Sequence, residues 1–407
     1  MASLSDVLSA VQNGVIALNN LTIQMKGSLL NIFGQLSTDA ANIATNTTDI
    51  SSTIGEISAL NGLQINGSMD VSQELGGTGT STHNTYILDG WTLFKNGPMV
   101  CTAFQQSSVT TFNGFSNYLA ITVGTAEAAL GATDYISVLQ HIEGYRAARL
   151  NFGTAYAKPV TIGFWTAHHR VGLYSGSIRN SAINRFYPFS YTQAVADTAQ
   201  FNTVTIPGDV TGTWLTTNGM GLSIVFVMAS GSTYLATAGE WTTSVTIGVT
   251  GQVNGVAATS DVFRITGVIL LQGDKVPTAA QSPYIMRPFD VELAICQRYF
   301  QKSYDYTVAP GSISNNGVEY LINDGYMAPG STHDIGLRFH SRMRAAPSVT
   351  TYSPNSGATA KAFDPVNVVD LVVGQNAAGE AHIVVYASVG VTQTTQISFH
   401  WKADARL

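Results

Sequence analysis

The seam positions near the start of the chain recur in alternating steps of four and three. They are Leu4, Leu8, Val11, Val15, Leu18, Thr22, Met25 and Leu29, then Phe33, Leu36, Ala40, Ile43, Thr47, Ile50, Ile54 and Ile57. Only the step from Leu29 to Phe33 breaks the alternation. A mean repeat of 3.5 residues sets one stripe of a helix against a partner, and about eight heptads of it predict a coiled coil. The other faces carry Ser, Thr, Asn, Gln and Asp, which are mediocre helix formers. The stripe must therefore supply the stability, which implies association between chains. Isoleucine at both seam positions between Ile43 and Ile57 favours more than two strands. The competing reading is a helical hairpin folded on its own chain at Gly27. Gly27 and Gly34 are the expected interruptions, and Asn61-Gly62 the expected stop.

From Leu63 onward the period becomes two. Trp241, Thr243, Val245, Ile247 and Val249 alternate with Thr242, Ser244, Thr246, Gly248 and Thr250, which predicts a half-buried strand. Leu222, Ile224, Phe226 and Met228 predict a fully buried strand. Phe263, Ile265, Gly267, Ile269 and Leu271 predict another, and Ile162 to Leu173 reads as one with aromatics on both faces. Turn clusters at Gly76 to Gly79, Pro207 to Asp209, Thr217 to Gly219 and Gly251 to Gly255 punctuate these runs. Short strands at such spacing predict an antiparallel β-sandwich of jelly-roll type. One short helix is expected at Val291 to Phe300. A further small β unit follows, ending with Ile397, Phe399 and Trp401 on one face and Ser398 and His400 on the other. The expected class is mainly β, with a stem over 1–62, a jelly-roll sandwich over 63–304 and a C-terminal β domain over 305–407.

Composition narrows the function. The charged fraction is 11% and the net charge −6, and no Lys or Arg occurs between Lys26 and Lys95. A nucleic-acid binder needs clustered basic residues, so that partner is discounted. No secretory signal is legible at the start, and no apolar run approaches the ~20 residues of a membrane span, so neither secretion by that route nor membrane insertion is expected. Cys101 and Cys296 are too few for a disulfide framework or a zinc site and read as buried thiols.

Several segments form a pattern spread in order over the middle of the chain. They are Leu63 to Gln73 (LQINGSMDVSQ), Gln140 to Gly144 (QHIEG), Phe164-Trp165, Thr205 to Asp209 with Thr211 to Trp214, Phe263 to Val268 (FRITGV), Arg287-Pro288-Phe289, and Glu292 to Tyr304. This pattern resembles a domain common in bacteriophage tail-fibre and minor virion proteins. The last residues, Phe399 to Leu407, are also similar to the ends of such fibre proteins. The resemblance implies a jelly-roll sandwich like that of carbohydrate-binding modules, displayed on a virion assembled in the host cytoplasm. It carries over no catalytic or ligand residues. The chain departs from the commoner pattern at Leu271-Gln272, where an acidic residue usually follows the strand.

A search for chemistry finds no phosphate loop, no HExxH and no GxSxG. His168 and His169 are adjacent on an expected strand, so they face opposite ways and do not suit one metal. No pair of carboxylates sits in a recognisable setting for glycoside hydrolysis. No cofactor and no catalytic residue is expected. Aromatic side chains remain as glycan contacts, because sugar rings stack on them: Trp91, Trp165, Tyr174, Tyr187, Trp214 and Trp241 are the candidates. Each has core packing as its competing role. The functional reading is a homotrimeric fibre or spike joined to other virion proteins through its stem and contacting host surface polysaccharide. The alternatives are a purely structural collar, capsid decoration or adaptor, and a polysaccharide-degrading tailspike.

Overall fold

The computed structural model describes residues 3–60, 62–108, 110–275, 278–389 and 394–407, and the side chains among them except those of 47–60, 323–326 and 394–395. It divides into two units, Met1–Ile57 and Ser58–Leu407.

The first unit is one helix, α1 (Leu4–Leu60). Ser3 opens it. The Ser3 hydroxyl accepts the Asp6 N–H at 3.2 Å, and Asp6 reaches back to the Ser3 N–H at 2.9 Å. That reciprocal pair satisfies two of the donors a helix start leaves free. The expected interruptions do not occur, and neither does the hairpin: α1 runs unbroken through Gly27 and Gly34. A glycine costs about 1 kcal/mol against alanine inside a helix, too little to break one this long. The ten large apolar seam residues from Leu4 to Ile43 are between 53% and 82% exposed. The side chains of Ile50, Ile54 and Ile57 lie outside the described residues.

In the second unit the chain does not begin as a strand. Residues 62–73 form an irregular strap, nearly all of it buried. Eleven main strands then build two antiparallel sheets. One holds β1 (Thr85–Leu88), β2 (Trp91–Asn96), β5 (Tyr135–Glu143), β7 (Gly172–Arg179), β8 (Phe186–Gln193) and β10 (Met220–Ser230), in the order β1-β2-β5-β10-β7-β8. The other holds β3 (Val100–Ser107), β4 (Asn117–Thr125), β6 (Val160–Thr166), β9 (Gln200–Ile206) and β13 (Val262–Gln272), in the order β3-β4-β13-β6-β9. Their inner faces share one core, in which Phe164 of β6 meets Phe226 of β10 at 4.9 Å between ring centroids. This is a β-sandwich.

The strap is held from all sides. An irregular buried segment has no ladder to satisfy its backbone, so side chains must do it. Gln140 clamps Ile65, accepting its N–H at 3.1 Å and donating to its carbonyl at 2.7 Å. The Asn66 side chain accepts the Val71 N–H at 2.9 Å and donates to the carbonyls of Val71 and Asp89. Arg146 and Arg287 donate to the carbonyls of Gly62 and Gln64, and Arg146 also to that of Leu63. Glu292 accepts the Asn66 N–H at 2.6 Å while paired with Arg287 at 2.9 Å. Gly67 lies against the Val268 carbonyl, where a Cβ would sit 2.1 Å from that oxygen. Its neighbour Gly267 takes φ +60° at the bulge in β13, a conformation that favours glycine.

Two expected strands are corrected. Ile162 to Leu173 is not continuous: β6 stops at Thr166, and His168 to Val171 turn the chain into β7, with Arg170 paired to Asp261 at 2.8 Å. Trp241 to Val249 is mostly irregular. Only the short parallel pair β11 (Leu235–Ala236) and β12 (Gly248–Val249) forms there. The alternation came from a cover segment that bridges β8 only at Thr242–Phe186 and whose Ile247 docks on Leu139, Val225 and Val227 of the outer sheet face. The expected helix forms as α3 (Phe289–Cys296), ending earlier, and α2 (Gly144–Ala147) is a single turn.

The C-terminal sheet starts at Phe300. It comprises β14 (Phe300–Lys302), β15 (Glu319–Met327), β16 (Thr332–Arg338), β17 (Ser348–Tyr352), β18 (Lys361–Asp364), β19 (Val369–Gln375), β20 (His382–Ser388) and β21 (Thr394–Asp404). β21 pairs with β14, β15, β17 and β18 and organises the sheet. Ile397, Phe399 and Trp401 enter its core as expected, but Ser398 and His400 on the other face are buried too. Arg406 then docks on the sandwich, paired with Glu74 at 2.6 Å and lying 4.0 Å over the Tyr86 ring.

His168 sits in the core between these elements. Its Nδ1 accepts the Arg264 N–H at 3.2 Å, its other nitrogen meets the Tyr191 hydroxyl at 3.1 Å, and its ring stacks on Phe263 at 4.1 Å. Burial, reinforced by the Arg264 charge, holds its pKa well below the ordinary histidine value. The unfolded chain then takes up the proton first as pH falls, so this contribution to stability is complete above the unfolded pKa of about 6.5 and is lost below it. Urea melts at pH 7, 6 and 5 should show His168→Gln losing a share of the slope approaching 1.4 kcal/mol per pH unit. Asn66→Ala should cost about 2–4 kcal/mol in the same melts, since it strips several buried bonds at once.

Candidate glycan-contact site

The six candidate aromatics fall into different environments. Trp91 is fully buried, its indole N–H donating to the Asn66 carbonyl at 3.0 Å. It fastens the strap and offers no face to a ligand. Tyr174 is also interior, its hydroxyl donating to the Arg170 carbonyl at 2.9 Å. Tyr187 is buried beneath Trp241, ring against ring at 5.2 Å. All three belong to the core because they occupy inward positions on their strands, and an isolated tryptophan or tyrosine in the sequence does not declare its side of the sheet.

The structure does bring Tyr187, Trp214 and Trp241 together, with Phe152 completing the cluster. Trp214 and Trp241 meet edge to face at 5.6 Å, and Phe152 lies 4.9 Å from Trp214. Both indoles are half-buried, and their N–H groups are already used: Trp241 donates to the Pro207 carbonyl at 2.9 Å and Trp214 to Thr211 at 3.2 Å. Arg185 lies over Trp241 and is paired with Asp209 at 2.7 Å. The cluster braces the loops at 207–214 and 239–242.

Trp165 differs. It points outward from β6, opposite to the inward Phe164, between the Phe112–Phe115 cluster and the segment 278–286. Ser282 accepts its indole N–H at 2.7 Å, and Phe201 lies against it at 5.3 Å. Beside it opens a cavity of about 380 Å³ lined by Asn113, Gly114, Trp165, Ala279, Pro283 and Tyr284. Tyr284 is 86% exposed, the most exposed aromatic among the described side chains of the second unit. An anchored indole facing a free tyrosine across a cleft, with one amide at the rim, matches the general design of a small polar-ligand site: apolar walls with few polar groups. Tyr284 was not among the sequence candidates. Its signal was its position beside Pro283 in a turn-rich segment, which is visible only once Trp165 is placed next to it.

The carboxylates are arranged for structure. Glu143, Asp209, Asp261 and Glu292 are buried, and each faces an arginine, at 2.6, 2.7, 2.8 and 2.9 Å. The Arg185 guanidinium and bonds from Thr211 outweigh burial and hold Asp209 below the ordinary carboxylate value. Burial pushes Asp89 up to about 6, against the two donors it receives from Gln73, but it lies under the strap away from any cleft. Glu127 is raised by burial and by the adjacent Asp134, and neither lines the Trp165 cavity. Among the described residues no group of three or more His, Cys, Asp or Glu could hold a metal ion. His169 pairs with Asp197 at 2.7 Å, and Cys101 and Cys296 are free, buried thiols, with Cys101 raised to about 11 by burial.

No family model matches this chain, and no curated protein matches it. Among solved structures, the enzymatically active domain of tailspike protein 4 from bacteriophage CBA120 is similar at 14% identity and a TM-score of 0.29, over 53% of this chain and 22% of that one. A family 11 carbohydrate-binding module from Clostridium thermocellum, solved with a β-1,3-1,4-mixed-linked tetrasaccharide, is similar at 12% identity and a TM-score of 0.26, over 48% of this chain and 96% of that one. A putative sugar binding protein from Bacteroides thetaiotaomicron follows at 11% identity and a TM-score of 0.28, over 52% and 99%. Scores this low carry no inference about what this chain binds.

The Trp214–Trp241 brace gives its own prediction. Trp241→Ala removes a half-buried ring with three aromatic neighbours, so it should destabilise the sandwich by about 3 kcal/mol in urea melts, near the lower end for a large aromatic truncation.

Proposed function

We propose that this chain is a structural fibre or spike protein of a tailed bacteriophage virion, built as a homotrimer on a coiled-coil stem, whose jelly-roll sandwich contacts host surface glycans. The observation that carries the reading is α1: 57 helical residues with an exposed heptad stripe. A lone helix with so much apolar surface in water is unstable unless partners cover the stripe. Isoleucine in both seam positions suits three strands. The two successive steps of four after Met25 amount to a stutter, which a continuous coil absorbs by local unwinding. The motif resemblance supplies the virion setting, with the stem as the part that other virion proteins would hold.

The glycan part rests on the Trp165–Tyr284 cleft. Several weak copies on one particle reach useful avidity without a tight single site. The pinning of the buried carboxylates by arginines favours binding over hydrolysis.

Light scattering on the full chain should give about 129 kDa, three times the 43.1 kDa protomer, and a chain starting at Leu63 should be smaller. A monomeric full chain would remove the stem reading and leave the decoration or adaptor role. For the cleft, Tyr284→Ala should leave the melting temperature unchanged, because the side chain is almost free, while lowering retention on host-envelope polysaccharide by tenfold or more at about 1.4 kcal/mol per decade. Undiminished retention would move the glycan contact elsewhere.

A further inference from the structure

The outer face of the six-stranded sheet holds a cation with no counter-ion. Alternation along β7 places Ser175, Ser177 and Arg179 on this face. Register sets Arg179 beside Ser223 of β10 and Ser223 beside His141 of β5, and sets Ser177 beside Val225. Arg179 is largely buried, yet among the described residues it makes no ion pair, and its Nε is buried without a hydrogen-bond partner. Ser177 is fully buried, and its hydroxyl also has no partner. Arg170, Arg185, Arg264, Arg287 and Arg298 are paired with carboxylates at 2.5–2.9 Å, and Arg146 donates to three carbonyls of the strap; among the described residues Arg179 has neither kind of partner. Burial lowers its pKa, with only the Tyr135 phenol opposing. Burial and the Arg179 charge together push His141 down to about 4, so that neighbour stays neutral and adds no second positive charge.

An aromatic floor lies beside this charge. The guanidinium carbon sits 5.9 Å from the Phe94 ring centroid. Phe94 stacks on Tyr135 at 5.2 Å, and Tyr135 meets Tyr234 edge-on at 5.5 Å; all three rings are half-buried and keep an outward surface. A guanidinium without a counter-ion is costly where part of it, here Nε, is withdrawn from water. A ligand carrying a carboxylate would give Arg179 a charge-assisted partner while its ring rests on Phe94 and Tyr135.

We propose that this face binds an acidic sugar, with Arg179 taking the carboxylate of a uronic-acid residue and Phe94 and Tyr135 supporting its ring. The proposal rests on the glycan-contact reading but uses a site separate from the Trp165 cleft. The probes are tetragalacturonate, its neutral methyl ester and sodium acetate, titrated into the full-length protein by calorimetry. The wild type should bind tetragalacturonate at least tenfold more tightly than the ester, since a charge-assisted bond contributes about 1.5–3 kcal/mol. Arg179→Gln should abolish that difference, Arg179→Lys should keep part of it, and Tyr284→Ala should leave it intact. Arg179→Met should melt at a higher temperature than the wild type without ligand, a readout that does not depend on binding. Acetate binding as tightly as tetragalacturonate would show a site for any small anion and overturn the sugar assignment. Equal affinity for the acid and the ester, or an Arg179→Gln protein that still prefers the acid, would overturn the proposal. Ester binding that is lost in Tyr284→Ala alone would at the same time uphold the glycan-contact reading.

Discussion

The second unit depends on burying a stretch of chain that has no secondary structure. Residues 62–73 run through the interior as an irregular strap, and every peptide group taken from water there needs a partner. The partners are side chains from distant parts of the sequence: Gln140 and Arg146 from the end of β5 and the turn after it, Arg287 and Glu292 around α3, Trp91 from β2. An ion pair in such a place is weak evidence of stability by itself, because desolvation offsets its attraction. Here the Arg287–Glu292 pair also bonds the strap on both its donor and acceptor sides. The strap fixes β13 through the Gly67–Val268 contact and fixes the first sheet through Trp91, so both sheets are registered against one segment.

This arrangement explains what the sequence could and could not show. The helix was legible because its seam repeats for about eight heptads, and local periodicity survives any tertiary context. The buried strands β10 and β13 were legible for the same reason. The motif segments from Leu63 to Gln73, Gln140 to Gly144 and Glu292 to Tyr304 were recognisable as a pattern, yet their role was not. Their residues meet across separations of 75 to 227 positions, and nothing local announces that Gln140 will clamp Ile65 or that Gln73 will donate to Phe300. Trp241 to Val249 misled because a segment lying flat on a sheet can alternate without pairing. The aromatics divided in the same way: a tryptophan shows its affinity for apolar surface but not which surface, so Trp91 and Trp165 look alike until their strands are placed.

The surfaces and the interior follow opposite electrostatic rules. Inside, Glu143, Asp209, Asp261 and Glu292 are each matched to an arginine, and the C-terminal residues repeat the device, with Arg406 held between Asp404 and Glu74 and stacked on Tyr86 and Phe300. The two β regions are thereby one unit, and their junction is polar and stacked instead of greasy. Arg179 has no such partner among the described residues, and the Trp165 cleft leaves aromatic surface open.

The strap also sets an order of events. Asn66 leaves the ribosome long before Glu292, its partner 226 residues later. At about 5–20 residues per second that interval is roughly 10–45 s. Throughout it the strap is unsecured and the sandwich cannot close, while α1 is already outside and helix formation takes only microseconds or less. If α1 associates between chains as proposed, it has time to do so before any sandwich is complete. Chain selection would then precede folding, and the slow, long-range β topology would be assembled at the high local concentration that a finished stem provides.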